Sequence, residues 1–151
     1  MSQLVASDAS APPSGPGWVH EIKYDGYRAQ IQVSGRNIRI LTRKGIDWTH
    51  RFKAIVEDAR DLGVSTAVLD GEVVAERGTG WESFNALHEA LSHGRSDELA
   101  YRVFDLLWLD GVDLRDLPLG ERKSRLKALL DQRTDQGRPD SLFRSPGGCR
   151  R

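Results

Sequence analysis

Two short stretches of the chain hold residue types that could do covalent chemistry. Lys23, Asp25 and Arg28 stand in K-x-D-G-x-R, within HEIKYDGYRAQ at residues 20–30. Asp70, Gly71 and Glu72 form a D-G-E inside the apolar run TAVLDGEVVA. A lysine amine is a nucleophile when neutral, and its chemistry would be attack on an electrophile held beside it. The competing reading makes Asp25-Gly26 only the tight turn of a hairpin, as Asp-Gly pairs commonly are. Against it, a match to all four fixed positions of K-x-D-G-x-R arises on the order of once in a thousand chains of this length. Asp110-Gly111 lacks such neighbours and reads as a plain turn. Asp70-Gly71 lies in an apolar strand, where a turn is disfavoured and where Glu72 would be costly to bury without a cation or polar ligand.

The elements that must position these residues can be read from periodicity. Trp18 to Tyr24 is rich in β-branched and aromatic residues and suggests a strand, which Asp25-Gly26 would turn. Ala29, Ile31 and Val33 alternate with Gln30, Gln32 and Ser34, predicting a strand with one buried face. Ser34-Gly35-Arg36-Asn37 turns it back into Ile38–Leu41, so this part reads as an antiparallel meander. Phe52, Ile55, Val56, Ala59 and Leu62 then fall at helical spacing, with Gly63 as the stop. Thr66 to Ala75 returns to strand, with Asp70 and Glu72 on one face. Trp81, Phe84, Leu87, His88 and Leu91 predict a second amphipathic helix, and Tyr101 to Leu109 a mostly apolar strand. Pro118 opens a last helix with Leu126, Leu129 and Leu130 as its apolar contacts, and periodicity stops beyond Gln132. The class is α+β, antiparallel sheet packed with helices.

Composition bounds the rest. A chain of 151 residues fits one domain with a real core, and 38% hydrophobic with 29% charged residues reads as soluble and globular. Twenty-two basic against 22 acidic residues leave no global pull toward phosphate backbones, so a nucleic-acid contact has to come from a local patch. The last 31 residues are the more basic part, with nine Lys or Arg against four Asp or Glu. Cys149 has no disulfide partner and no second metal ligand, which suits a reducing cytoplasm. The first residues, MSQLVASDASAPPSGPG, read as a flexible lead-in and neither a signal peptide nor a membrane span. His20, His50, His88 and His93 show no ligand spacing.

Taken with Thr42-Arg43-Lys44-Gly45 and the aromatic-acid pair Phe104-Asp105 in YRVFDLLWLDG, these motifs resemble the covalent nucleotidyltransferases: ATP-dependent DNA ligases, RNA ligases and mRNA capping enzymes. The four motifs stand in the family's order over roughly residues 15 to 130. The surrounding WVHEIKYDGYRAQ and LDGEVVAE are similar to DNA ligases, most of all to the ligase domain of bacterial end-joining ligases. Arg28 stands where NAD-dependent ligases usually carry alanine, so the resemblance implies ATP as the nucleotide.

The resemblance also implies roles. Lys23 would attack the α-phosphorus of ATP to form lysyl-AMP, for transfer to a DNA 5′-phosphate in nick sealing during repair and recombination. A free lysine has a pKa of about 10.4, so such a site must favour the neutral amine or deprotonate it during attack. Glu21 would contact the adenine edge, Arg28 and Arg43 the ribose and phosphates, and Phe104 the purine face. Glu72 would take the ribose hydroxyl or a water on Mg²⁺. Each side chain suits its role: guanidinium forks match phosphate, an aromatic ring stacks on a base, and Mg²⁺ takes few ligands from protein.

The later carboxylate strand, lysine pair and OB-fold of complete ligases find no match in this sequence. The expectation is therefore a C-terminally truncated adenylation domain: lead-in 1–17, partial adenylation domain 18–132, irregular basic tail 133–151. The alternatives are a catalytically inactive nucleotide-binding remnant, or an RNA ligase or capping-type enzyme. In the full-length family the partner is nicked or broken duplex DNA, with other end-joining proteins and no membrane.

Overall fold

The computed structural model describes residues 15–16, 23–76, 84–135 and 143–144. The elements run β1 (Tyr27–Ser34), β2 (Asn37–Thr42), α1 (Lys53–Arg60), β3 (Thr66–Ala75), α2 (Phe84–Ser92), β4 (Leu99–Leu109), β5 (Val112–Asp113), α3 (Leu119–Asp135) and β6 (Phe143–Arg144). The strands form one sheet in the order β2-β1-β3-β4-β5, antiparallel throughout, and β6 adds two residues parallel to β4. The fold is α+β, as the alternation of strand and helix patterns predicts.

Each element follows from its residues. Alternation in β1 buries Ala29, Ile31 and Val33, and Gly35, with φ of 59°, closes the turn to β2. Helix α1 lays Ile55, Val56 and Ala59 into the core, flanked by Phe52 and Leu62. β3, central in the sheet, buries Ala67, Leu69 and Val73 in the common core. Fully burying one such aliphatic side chain stabilises by roughly 1.5–3 kcal/mol, so these faces decide which side of each strand turns inward. Asp110 and Gly111, both at positive φ, form the turn from β4 to β5, and the Asp110 carboxylate accepts the Ser65 and Thr66 N–H groups at 2.7 and 3.1 Å.

The structure departs from the periodicity in four places. Trp18 to Ile22 lie outside the described residues, while Lys23 and Tyr24 belong to no strand. Asp25-Gly26 accordingly turns no hairpin among the described residues: β1 pairs with β2 on one edge and β3 on the other. In α2 the buried residues are Leu87 and Ala90, with Phe84 and His88 exposed, because so short a helix touches the sheet along one narrow line. Trp81 lies outside the described residues. Finally, α3 runs on to Asp135, so its last turn falls within the stretch expected to be irregular. Arg133 is the reason: its buried guanidinium binds the Asp58 carboxylate of α1 through Nη2–Oδ1 at 2.5 Å and Nη1–Oδ2 at 3.2 Å. Phe143–Arg144, in the same stretch, pairs with β4.

Candidate active site

The two chemistry-bearing motifs meet because β1 pairs with β3. In that register Arg28 lies opposite Glu72 and Gln30 opposite Asp70, so the carboxylates and the guanidinium share one face. Just before β1, the Gly26 N–H donates to Glu72 Oε1 at 3.1 Å. A Cβ on Gly26 would stand 2.1 Å from the Val73 carbonyl oxygen, so only glycine lets the chain come this close to β3. Burial pushes the Glu72 carboxyl up, partly offset by the Gly26 N–H and the Arg28 guanidinium.

Arg28 is clamped. Its Nη2 and Nε donate to Asp70 Oδ2 and Oδ1 at 2.9 and 3.3 Å, a bidentate pair that holds the guanidinium firmly protonated. Across the sheet Asp70 stands opposite Asp105 of β4, an unfavourable juxtaposition of like charges. A second bidentate arginine relieves it: Arg122 of α3 donates Nε and Nη2 to the two Asp105 oxygens at 2.9 and 3.0 Å.

Phe104 is the extra residue of a β-bulge. Gly71 pairs with Val103 and Asp70 with Asp105, leaving Phe104 without an opposite number on β3. Bulges re-aim a side chain and release backbone groups from the ladder. Here the Phe104 ring lies under the Arg28 guanidinium, 5.4 Å from its centroid. The Phe104 carbonyl accepts from Lys123 Nζ, whose ammonium burial pushes down, and Leu106 N–H donates to Asp105 Oδ1 at 2.9 Å. On the core side the fully buried Tyr101 reaches beneath Gly71, where a Cβ would stand 2.6 Å from its Cζ. Its hydroxyl lies 2.9 Å from the Ala29 carbonyl and 3.2 Å from that of Leu69, bracing β1 against β3 directly under the D-G-E.

A cleft of about 570 Å³ opens between two walls, a size suited to a small organic ligand. Gly26, Tyr27, Arg28 and Glu72 form one; the hairpin after β2, with Thr42, Arg43, Lys44, Ile46 and Trp48, forms the other. The hairpin is held by its own bonds: Gly45 N–H to the Thr42 carbonyl, Thr42 N–H to the Ile46 carbonyl, and Ile46 N–H to Thr42 Oγ1. Among the described residues no group of three His, Cys, Asp or Glu could by itself hold a metal ion, and no helix is long and apolar enough to cross a membrane.

The ATP dependent DNA ligase domain family matches residues 6–139. The chain belongs to that family. It is 40% identical over 131 residues to a multifunctional non-homologous end joining protein LigD of Pseudomonas aeruginosa, covering 87% of this chain and 16% of that one. It is 35% identical over 127 residues to a DNA ligase of Pyrobaculum neutrophilum, covering 78% and 22%. Among solved structures, a mycobacterial DNA ligase D complexed with ATP and MES superposes with a TM-score of 0.66 at 27% identity, over 85% of this chain and 38% of that one. The ligase domain of Mycobacterium tuberculosis LigD gives the same TM-score at 28% identity, over 83% and 38%. This ligase-domain chain thus spans under a quarter of the length of these two curated relatives, and its sheet corresponds to part of a ligase nucleotidyltransferase domain.

Within this ligase domain, three of the six residues singled out from sequence, Arg28, Arg43 and Glu72, line one cleft. Lys23 is exposed, three residues ahead of Gly26, and does not line the cleft; Phe104 stands off it, against Arg28. Glu21 lies outside the described residues. Sequence reasoning did not single out Tyr27, Ile46 and Trp48 on the cleft walls, nor the orienting pairs Arg28–Asp70 and Arg122–Asp105. Asp70 carried a signal, since its place two residues before Glu72 puts it on the same face. The Arg122 pairing carried none, because it depends on where α3 crosses the sheet.

Proposed function

We propose that this chain is the nucleotide-activating part of an ATP-dependent DNA ligase, in which Lys23 takes up AMP. The neutral Lys23 amine attacks the α-phosphorus of ATP: the N–P bond forms as the bond to the pyrophosphate oxygen breaks, and the amine proton passes to solvent. Lysyl-AMP remains. A DNA 5′-phosphate oxygen then displaces the amine, and the 3′-hydroxyl of the neighbouring strand releases AMP and seals the nick, in repair and recombination. The observation that carries this reading is the Gly26–Glu72 hydrogen bond, which docks the segment following Lys23 onto the D-G-E strand with Arg28 clamped beside it.

In this reading Phe104 stacks on the purine, Glu21 meets the adenine edge, and Arg28 and Arg43 meet the ribose and phosphates. Glu72 would hold the ribose hydroxyl or a water on Mg²⁺. The fit of Glu72 to the ion rests on its burial: a half-buried carboxylate whose charge is disfavoured gains from a cation, and Mg²⁺ needs few protein oxygens. When bound, Mg²⁺ neutralises phosphate charge during transfer.

The test is intact-protein mass after incubation with ATP and Mg²⁺, beside Lys23→Ala. An added adenylyl group on the wild type alone is expected. An adduct that survives Lys23→Ala refutes the assignment, and ATP binding with no adduct leaves a nucleotide-binding protein without transfer.

A further inference from the structure

Helix α3 grips the bulge of β4 with two consecutive side chains. Arg122 donates to both Asp105 oxygens at 2.9 and 3.0 Å and to the Leu117 carbonyl at 2.7 Å, and Lys123 donates to the Phe104 carbonyl. The grip is sheltered, with the Arg122 and Asp105 side chains 13% and 17% exposed. The two contacts differ in what they fix. Arg122 satisfies a carboxylate and ties the helix to the sheet. Lys123 holds the backbone of Phe104, the bulged residue with no opposite number on β3. Such a residue has lost the ladder that fixes its peptide plane, and that plane sets where its side chain points. Docking of the helix does not call for this lysine, since Leu126 and Leu129 of α3 are already buried in the core beside the Arg122 pair. Burial pushes the Lys123 ammonium pKa down, a cost that an apolar side chain of similar length would not carry.

We propose that Lys123 is a positioning residue for the nucleotide base: by holding the Phe104 carbonyl it sets the tilt of the Phe104 ring, and with it the share of binding that comes from the purine. This rests on the purine placement given above. Phe104 is then held at both ends, its carbonyl by Lys123 and its ring by the Arg28 guanidinium, 5.4 Å from the centroid. Aromatic contacts depend on the relative orientation of the two rings, so a Phe104 free to tilt loses part of its contact with a base while the phosphate contacts stay as they are.

The experiment titrates the full chain by calorimetry with ATP and with inorganic tripolyphosphate, which offers phosphates and no base, in the presence of Mg²⁺. The proteins are the wild type, Lys123→Met, Lys123→Arg, Phe104→Ala and the double variant Lys123→Met, Phe104→Ala. Lys123→Met keeps the stem and removes the donor; it is expected to weaken ATP about fivefold, in keeping with the loss of one aromatic contact, and to leave tripolyphosphate unchanged. Lys123→Arg, which keeps a donor, is expected to recover part of the loss. In the Phe104→Ala background Lys123→Met is expected to have no further effect. Equal weakening of both ligands, loss of all binding in Lys123→Met, or an effect that persists without the Phe104 ring overturns the inference and makes Lys123 a residue of helix docking alone. If Phe104→Ala weakens ATP and Lys123→Met does not, the inference falls and the purine placement stands. If the wild type binds ATP no better than tripolyphosphate, or Phe104→Ala leaves ATP unchanged, the purine placement falls and the inference with it.

Discussion

The Gly26 N–H donates to Glu72 Oε1 across 46 positions of sequence, and this one bond ties the lysine-bearing segment to the acidic strand. The Gly26 backbone can reach Glu72 only because it carries no Cβ. Gly26→Ala would put a methyl 2.1 Å from the Val73 carbonyl oxygen, and the segment must lift away. The expected outcome is a loss of about 1–3 kcal/mol in a urea melt, together with loss of any Lys23 adduct in the mass experiment. Full stability in the alanine variant would refute the close docking.

Asp70 holds Arg28 through both carboxylate oxygens, and its side chain is only 7% exposed against 30% for Arg28. Asp70→Asn keeps the shape and removes the charge. Stability is expected to fall by about 1–3 kcal/mol, and the Kd for ATP measured by calorimetry to rise on the order of tenfold as Arg28 loses its fixed orientation. An unchanged Kd would mean Arg28 does not meet the nucleotide.

Burial raises the Glu72 pKa above its ordinary 4.5, so the folded state binds this proton more tightly than the unfolded chain. The resulting stabilisation is complete below 4.5 and is lost as pH rises through the raised value. Urea midpoints of wild type and Glu72→Gln should therefore converge in acid, with the wild type falling behind the variant toward neutral pH. The opposite trend would show that Gly26 and Arg28 outweigh burial. Saturating Mg²⁺ should narrow the neutral-pH gap if Glu72 helps to hold the ion.

The Arg133–Asp58 pair joins the end of α3 to α1, with side chains 3% and 16% exposed. Arg133→Ala leaves the Asp58 charge without this partner, and a loss of about 3–5 kcal/mol is expected. The double variant Asp58→Leu, Arg133→Met should recover most of it. Wild-type stability in Arg133→Ala would return the last turn of α3 to the irregular tail that periodicity suggests.

What the sequence made legible, and what it hid, divides along physical lines. β3 is read to its end residues because alternation is a local property, and α1 because five apolar residues recur at helical spacing. The proximity of K-x-D-G-x-R to D-G-E could be expected only through family resemblance, since a contact 46 residues apart leaves no mark on local spacing. The Phe104 bulge was hidden for a similar reason: a bulge exists only relative to a partner strand. α3 reads short because Arg133 counts as polar in any periodicity, although a paired guanidinium can be buried like an apolar group. Asp25-Gly26 misleads in the other direction, since the glycine that usually signals a turn here answers to a neighbouring strand.

Tyr101, fully buried and braced between the Ala29 and Leu69 carbonyls, does not line the cleft, yet the strand pairing it braces bears on which chemistry is possible. Side chains on a strand alternate, so slipping β1 by one residue against β3 would turn Arg28 inward and Ala29, Ile31 and Val33 outward together. A chain paired in that way would lose its core in the same stroke as its guanidinium. Errors of register at this site are therefore all-or-none: a slip that turns Arg28 away also turns the core outward, and selection for a stable protein is also selection for the right pairing.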